Sequence, residues 1–119
     1  MSNMIEALPG IERIKTRFLD LLEERQSIIA SHALAAWDSQ DTKDMHSHLT
    51  AAQSALHQIA GSAGSLGFAP LGQAARECEN EIIVHLENQD NNGRMISSEV
   101  MSRLDTFVSM SQTLLAKGT

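Results

Sequence analysis

The sequence predicts an all-α protein, an antiparallel up-down-up-down bundle of four helices, on three observations. Its 119 residues include two prolines, seven glycines, no tyrosine and 3% aromatic side chains, too few turn and strand formers for a β-sandwich or barrel. Apolar residues recur at steps of three and four in four separate segments, the period of a helix with one buried side. The links between these segments are short, which makes consecutive helices antiparallel neighbours. No repeat or composition break divides the chain, so residues 1–119 are expected to form a single domain.

The first helix is expected from Pro9 to Gln40. Ile11, Ile14, Phe18, Leu21, Leu22, Ile28 and Ile29 supply its apolar side, and Glu12, Arg13, Lys15, Arg17, Asp20, Glu23 and Glu24 its solvated one. Met4 to Leu8 read as a one-turn cap over the bundle end. The polar cluster Asp38-Ser39-Gln40-Asp41-Thr42 offers N-caps for a second helix from about Lys43 to Leu66. There Met45, Leu49, Ala52, Leu56, Ile59, Ala63 and Leu66 form the most regular stripe in the chain. Gly67 and Pro70 stop that helix and start the third, because glycine accepts a left-handed closing residue and proline suits a first turn. Leu71, Ala74, Ala75, Cys78, Ile82 and Leu86 carry the third helix to Glu87. The run Asn88-Gln89-Asp90-Asn91-Asn92-Gly93 is a loop. Ser97 or Ser98 caps the fourth helix, whose stripe is Val100, Leu104, Phe107, Ser111 and Leu114.

Charge and composition narrow the partners. Nine Lys and Arg against fifteen Asp and Glu leave a net charge of −6 without a basic run, so no electrostatic footprint for nucleic acid or an anionic membrane is present. No apolar run approaches the roughly 18 residues of a membrane span, and the start Met-Ser-Asn-Met-Ile-Glu lacks signal-peptide character. The expected compartment is the cytoplasm and the expected partners are proteins. Cys78 is alone and falls in an apolar stripe, which fits a buried core residue better than a reactive thiol.

The informative stretch is Leu56-His57-Gln58-Ile59-Ala60-Gly61-Ser62-Ala63-Gly64-Ser65-Leu66-Gly67. With Leu56 and Ile59 facing the core, His57 is turned about 100° off the seam and toward solvent. Thr50, Gln53, Ser54, Ala60, Gly61 and Gly64 share its side at helical spacings, and all are modest in size. Each interior glycine costs a helix about 1 kcal/mol relative to alanine, so Gly61 and Gly64 signal a close approach beside the imidazole. An exposed imidazole is partly neutral at pH 7 and can act as a nitrogen nucleophile. Phosphoryl transfer asks mainly for positioning and for cations on the transferred charge, and a docking partner can bring both. His32, His46, His48 and His85 read as ordinary histidines, and no phosphate loop or nucleophile triad is present.

The run from Leu56 to Gly67, with Leu71 and the pair Cys78-Glu79, resembles the histidine-containing phosphotransfer (HPt) domain family. The resemblance extends to length and helix pattern. It implies that His57 is phosphorylated in a multistep two-component phosphorelay. A receiver-domain aspartate of a hybrid sensor kinase would supply the phosphoryl group, and a response-regulator receiver would take it. No cofactor is expected in this chain, with Mg2+ on the receiver only; the missing phosphate loop argues against an ATP site, and one charged face per helix favours a monomer. Gly61 would be the family's small residue beside the phosphate, and Leu71 and Glu79 its later leucine and acid. The docking surface is expected around Thr50, Gln53, Ala60, Gly61 and Gly64. Many members carry lysine where this chain has Ala60, which puts in doubt how the phosphoryl charge is met; Arg76, Gln53 and Gln73 are the candidate substitutes. Glu79 is a candidate partner for the second imidazole nitrogen. The alternative is a helical adaptor that keeps the fold and docks a receiver or kinase without being phosphorylated, a reading encouraged by Ala60.

Overall fold

The computed structural model describes residues 9–88 and 96–118. Four α-helices follow in order: α1 Pro9–Asp38, α2 Thr42–Ala63, α3 Ala69–Glu87 and α4 Ser98–Gly118, with a short 3-10 turn at Gly64–Leu66 between α2 and α3. Each helix packs on its chain neighbours and α4 closes against α1, giving the expected four-helix bundle. The expected cap at Met4 to Leu8 and the expected loop residues 89–93 lie outside the described residues.

Local chemistry sets the ends. Asp41 caps α2, its Oδ1 accepting the backbone N–H of Asp44 at 2.8 Å, and Ser97 caps α4, its Oγ accepting from Val100 at 3.2 Å. Helix α1 stops at Asp38, two residues before the expected Gln40, where the Ser39 hydroxyl donates back to the Ala35 carbonyl. Helix α2 leaves α geometry after Ala63, earlier than the expected Leu66. Gly67 then closes the turn at φ +92°, and the Phe68 N–H donates to the Ala63 carbonyl at 2.8 Å. Phe68 stacks on Phe18 of α1 with ring centroids 5.0 Å apart, which pins the α2–α3 link to the N-terminal end of α1.

The core runs the length of the bundle. Met45, Leu49, Ala52, Leu56, Ile59 and Ala63 of α2 are all buried, as are Leu71, Ala75, Cys78 and Ile82 of α3 and Val100, Leu104 and Phe107 of α4. Burial pushes the Cys78 thiol up to about 12, so it stays protonated and unreactive near neutral pH. On α1 the core residues are Phe18, Leu22, Ile29, Ala33 and Ala36. Ile14 and Ile28, expected in that seam, are instead 49% and 46% exposed. They belong with Leu21 to a second apolar stripe, spaced by seven and offset around α1 from the buried one. Spacing alone could not separate two stripes on one helix.

Two histidine contacts at the end of the bundle away from Phe68 were not expected. One of the His32 and His48 Nδ1 groups donates to the other at 2.9 Å, linking α1 to α2. His85 on α3 is buried, and burial, helped by the nearby His46, pushes its pKa below the usual histidine value. A histidine that charges less readily folded than unfolded contributes full stability above its unfolded pKa. That stability is lost as pH falls from about 6.5 through the folded value. Urea titrations should show unfolding free energy declining over this window in the native chain, and a shallower decline in His85→Gln.

Candidate functional site

Helix α2 presents His57 outward with its side chain 74% exposed. The imidazole is not loose. Its Nδ1 lies 2.8 Å from Oε2 of Glu79 on α3, and the same oxygen accepts a hydrogen bond from Gln53 Nε2, also at 2.8 Å. Because an ionised carboxylate only accepts, the Nδ1–H of His57 is the donor, and this selects the tautomer whose lone pair is on Nε2. Glu79 itself is buried, 7% exposed, so its acceptor oxygen is held in place by packing. The candidate nucleophile is therefore a single nitrogen, Nε2, aimed away from Glu79 on an accessible ring.

The reach from α3 to α2 depends on a close helix approach. A Cβ added at Gly72 would meet Ala63 Cβ at 3.3 Å and the Gly64 nitrogen at 3.5 Å. The missing side chain lets the two helices approach here, two turns along α3 from Glu79. In the sequence Gly72 shows only as a glycine inside a helical stripe, with nothing to mark a close approach.

Gly61 and Gly64 differ from Gly72. A Cβ built at either meets nothing within 4 Å, so no part of the described bundle requires them to be bare. Their openness lies on the outer surface, next to the imidazole. Gly61→Leu should leave thermal stability nearly unchanged or slightly raised, while cutting the rate of phosphoryl transfer from a protein donor at least tenfold. A wild-type transfer rate in that variant would remove the reason given for the glycine.

The other expected site residues separate. Thr50 is exposed on the same side of α2 as His57, and Gln53 is half-buried beneath it at Glu79. Ala60 corrects the expectation of an exposed docking residue: it is 8% exposed, turned into the α2–α3 seam where its carbonyl faces Gly72. The physical reason is that His57 leans toward α3, so the residue three positions on falls beneath that helix and not in the clearing. Gln73 is drawn off to Glu77, donating at 3.0 Å, and Glu77 in turn accepts from Arg103 of α4. Arg76 is exposed and, among the described residues, enters no ion pair. It shares with Gly72, Glu79 and Ile83 the edge of α3 that faces α2. Among the described residues no three His, Cys, Asp or Glu side chains form a group able to hold a metal ion, and no helix is long and apolar enough to cross a membrane.

A helical bundle carrying one exposed histidine, oriented from behind by a buried carboxylate and bordered by bare backbone, is the arrangement of a phosphoryl carrier. Comparison with known families agrees. Residues 13–114 match the Hpt domain, and the chain belongs to that family. Hpt domains serve histidine phosphotransfer in phosphorelay signalling as phosphocarrier modules, not kinases, and interact with receiver domains. No curated protein and no solved structure matched the chain significantly.

Proposed function

We propose that His57 is the phosphoacceptor of a phosphorelay, taking a phosphoryl group from the aspartyl phosphate of a receiver domain on a hybrid sensor kinase and passing it to the receiver of a response regulator. The hydrogen bond from His57 Nδ1 to Glu79 carries this reading. The Nε2 lone pair attacks phosphorus, the N–P bond forms, and the bond from phosphorus to the aspartyl oxygen breaks with its electron pair left on the carboxylate. The ring becomes cationic while its proton stays on Nδ1 against Glu79, so no proton has to leave the site. Returning the group to a second aspartate reverses these steps, and the retained proton keeps neutral imidazole as the leaving group.

The chain supplies the nucleophile and its orientation. Mg2+ that steadies the transferred charge belongs to the receiver, and no cofactor of the chain's own is invoked. On this reading the protein works in the cytoplasm as a monomer and through short-lived complexes, since a carrier that bound either receiver tightly would stall. Arg76 is the proposed local cation, because it lies one turn from Glu79 on the α3 edge facing α2, and the family's lysine position is occupied here by a buried alanine. Arg76→Ala should shorten the phosphohistidine lifetime severalfold, with Arg76→Lys restoring most of it.

The direct test is incubation with phosphorylated receiver domains, reading acid-labile label on the chain. Label on the wild type supports the reading. Receiver binding without label would mean an adaptor.

A further inference from the structure

Helix α2 sends two side chains to one oxygen of α3. Gln53 stands one turn before His57 on α2, and Gln53 Nε2 and His57 Nδ1 both lie 2.8 Å from Oε2 of Glu79. An ionised carboxylate only accepts, so Gln53 turns its NH2 and not its carbonyl oxygen toward Glu79, and the contact is a donated hydrogen bond. This second donor supplies what burial does not. Packing keeps the carboxylate close to the ring, with Glu79 7% exposed, but the last torsion of a glutamate side chain is broad. Burial therefore leaves open how the two oxygens are turned. The half-buried, neutral Gln53 amide closes that freedom on the oxygen that meets the imidazole.

We propose that Gln53 is a positioning residue for the phosphoacceptor: it holds Oε2 of Glu79 in line with Nδ1 of His57 and so keeps the Nε2 lone pair free. The inference rests on the phosphoacceptor reading and adds to it a residue that acts through Glu79. An unconstrained imidazole in water carries its proton mainly on Nε2, the nitrogen that transfer needs bare. Which nitrogen is protonated in a protein is set by the hydrogen bond the other one makes. Glu79 must therefore be aimed at the ring and not merely near it. The 74% exposure of the His57 side chain lets water compete for Nδ1, so an acceptor fixed in advance counts for more here than it would beside a buried ring. Gln53 is suited to that task because it reaches the carboxylate from the same helix that carries the histidine. A shift of α2 against α3 moves both donors together.

The test reads the ring directly. Nitrogen NMR of the unphosphorylated chain at about pH 8, above the ordinary histidine value of about 6.5, reports which nitrogen of His57 carries the proton. The wild type should show it on Nδ1. Gln53→Met, close in length but without a donor, should shift the ring toward the Nε2–H tautomer. The same variant should slow labelling of His57 by phosphoramidate, a donor that needs no docked protein, by roughly threefold or more. Gln53→Lys restores a donor within reach of Glu79 and should return the tautomer ratio toward that of the wild type. A wild-type ratio in Gln53→Met overturns the inference whatever happens to its melting temperature, because a purely structural glutamine would lower stability without moving the proton. So does a Gln53→Lys ring that keeps the Nε2–H tautomer. Failure of phosphoramidate to label His57 in the wild type would refute the phosphoacceptor reading, while the tautomer ratios would still judge Gln53 by themselves.

Discussion

His57→Gln is expected to abolish acid-labile phosphorylation altogether while leaving the protein as stable as before. Both halves follow from the same geometry. The side chain is 74% exposed and contributes no core packing, so its replacement falls in the class of surface changes worth within about 0.5 kcal/mol. Glutamine keeps a donor that can reach Glu79 but presents no nucleophilic nitrogen. Labelling from a phosphorylated receiver, measured beside a thermal melt, checks the pair of outcomes. Residual label at another histidine would be informative as well. His32 and His48 are half-buried against each other and His85 is buried, so none of these three rings is as accessible as that of His57.

The next largest effect is expected at Glu79. Glu79→Gln preserves shape and an acceptor oxygen for the His57 N–H, but removes the negative charge behind a ring that becomes positive when phosphorylated. Hydrogen bonds to charged groups are worth about 1.5–3 kcal/mol against about 0.5–1.5 for neutral ones, so roughly 1–1.5 kcal/mol of stabilisation of the cationic ring is lost. That corresponds to about a tenfold slower phosphorylation. Stability should hold or rise, because a buried carboxylate has been replaced by a neutral amide that Gln53 can still meet. Stopped transfer assays together with urea unfolding separate the two readouts. An equal loss of rate and of folding would make Glu79 a structural residue and leave the orientation of the imidazole unexplained.

Much of this architecture is legible from periodicity. The α2 stripe from Met45 to Ala63 is buried at every expected position, and Gly67 adopts the left-handed conformation that its place before Pro70 implied. His57 is exposed because its neighbours Leu56 and Ile59 are anchored inward, an inference that needs only 100° per residue. What periodicity cannot give is the azimuth of one helix about another. Ala60 and Glu79 illustrate this: one was expected in the clearing and is under α3, while the other could as well have been solvated and is buried with its oxygen on two partners. The same limit explains Ile14 and Ile28, since a helix with two apolar stripes does not announce which one the bundle will use. The His32–His48 contact joins residues sixteen apart in sequence on different helices, and no local pattern marks it.

Gly72 gives the bundle a property that a list of polar residues would miss. On the proposed role of Nε2, the oxygen behind the reacting ring is delivered from another helix, and two turns along that helix Gly72 sits where a Cβ would press on Ala63 at 3.3 Å. A methyl group there would act as a shim, prising α3 outward by tenths of an ångström and stretching the contact behind the imidazole without touching any atom that reacts. On that role, the rate of transfer is expected to depend partly on helix spacing, so that an aliphatic substitution could retune it without changing any charged or nucleophilic side chain.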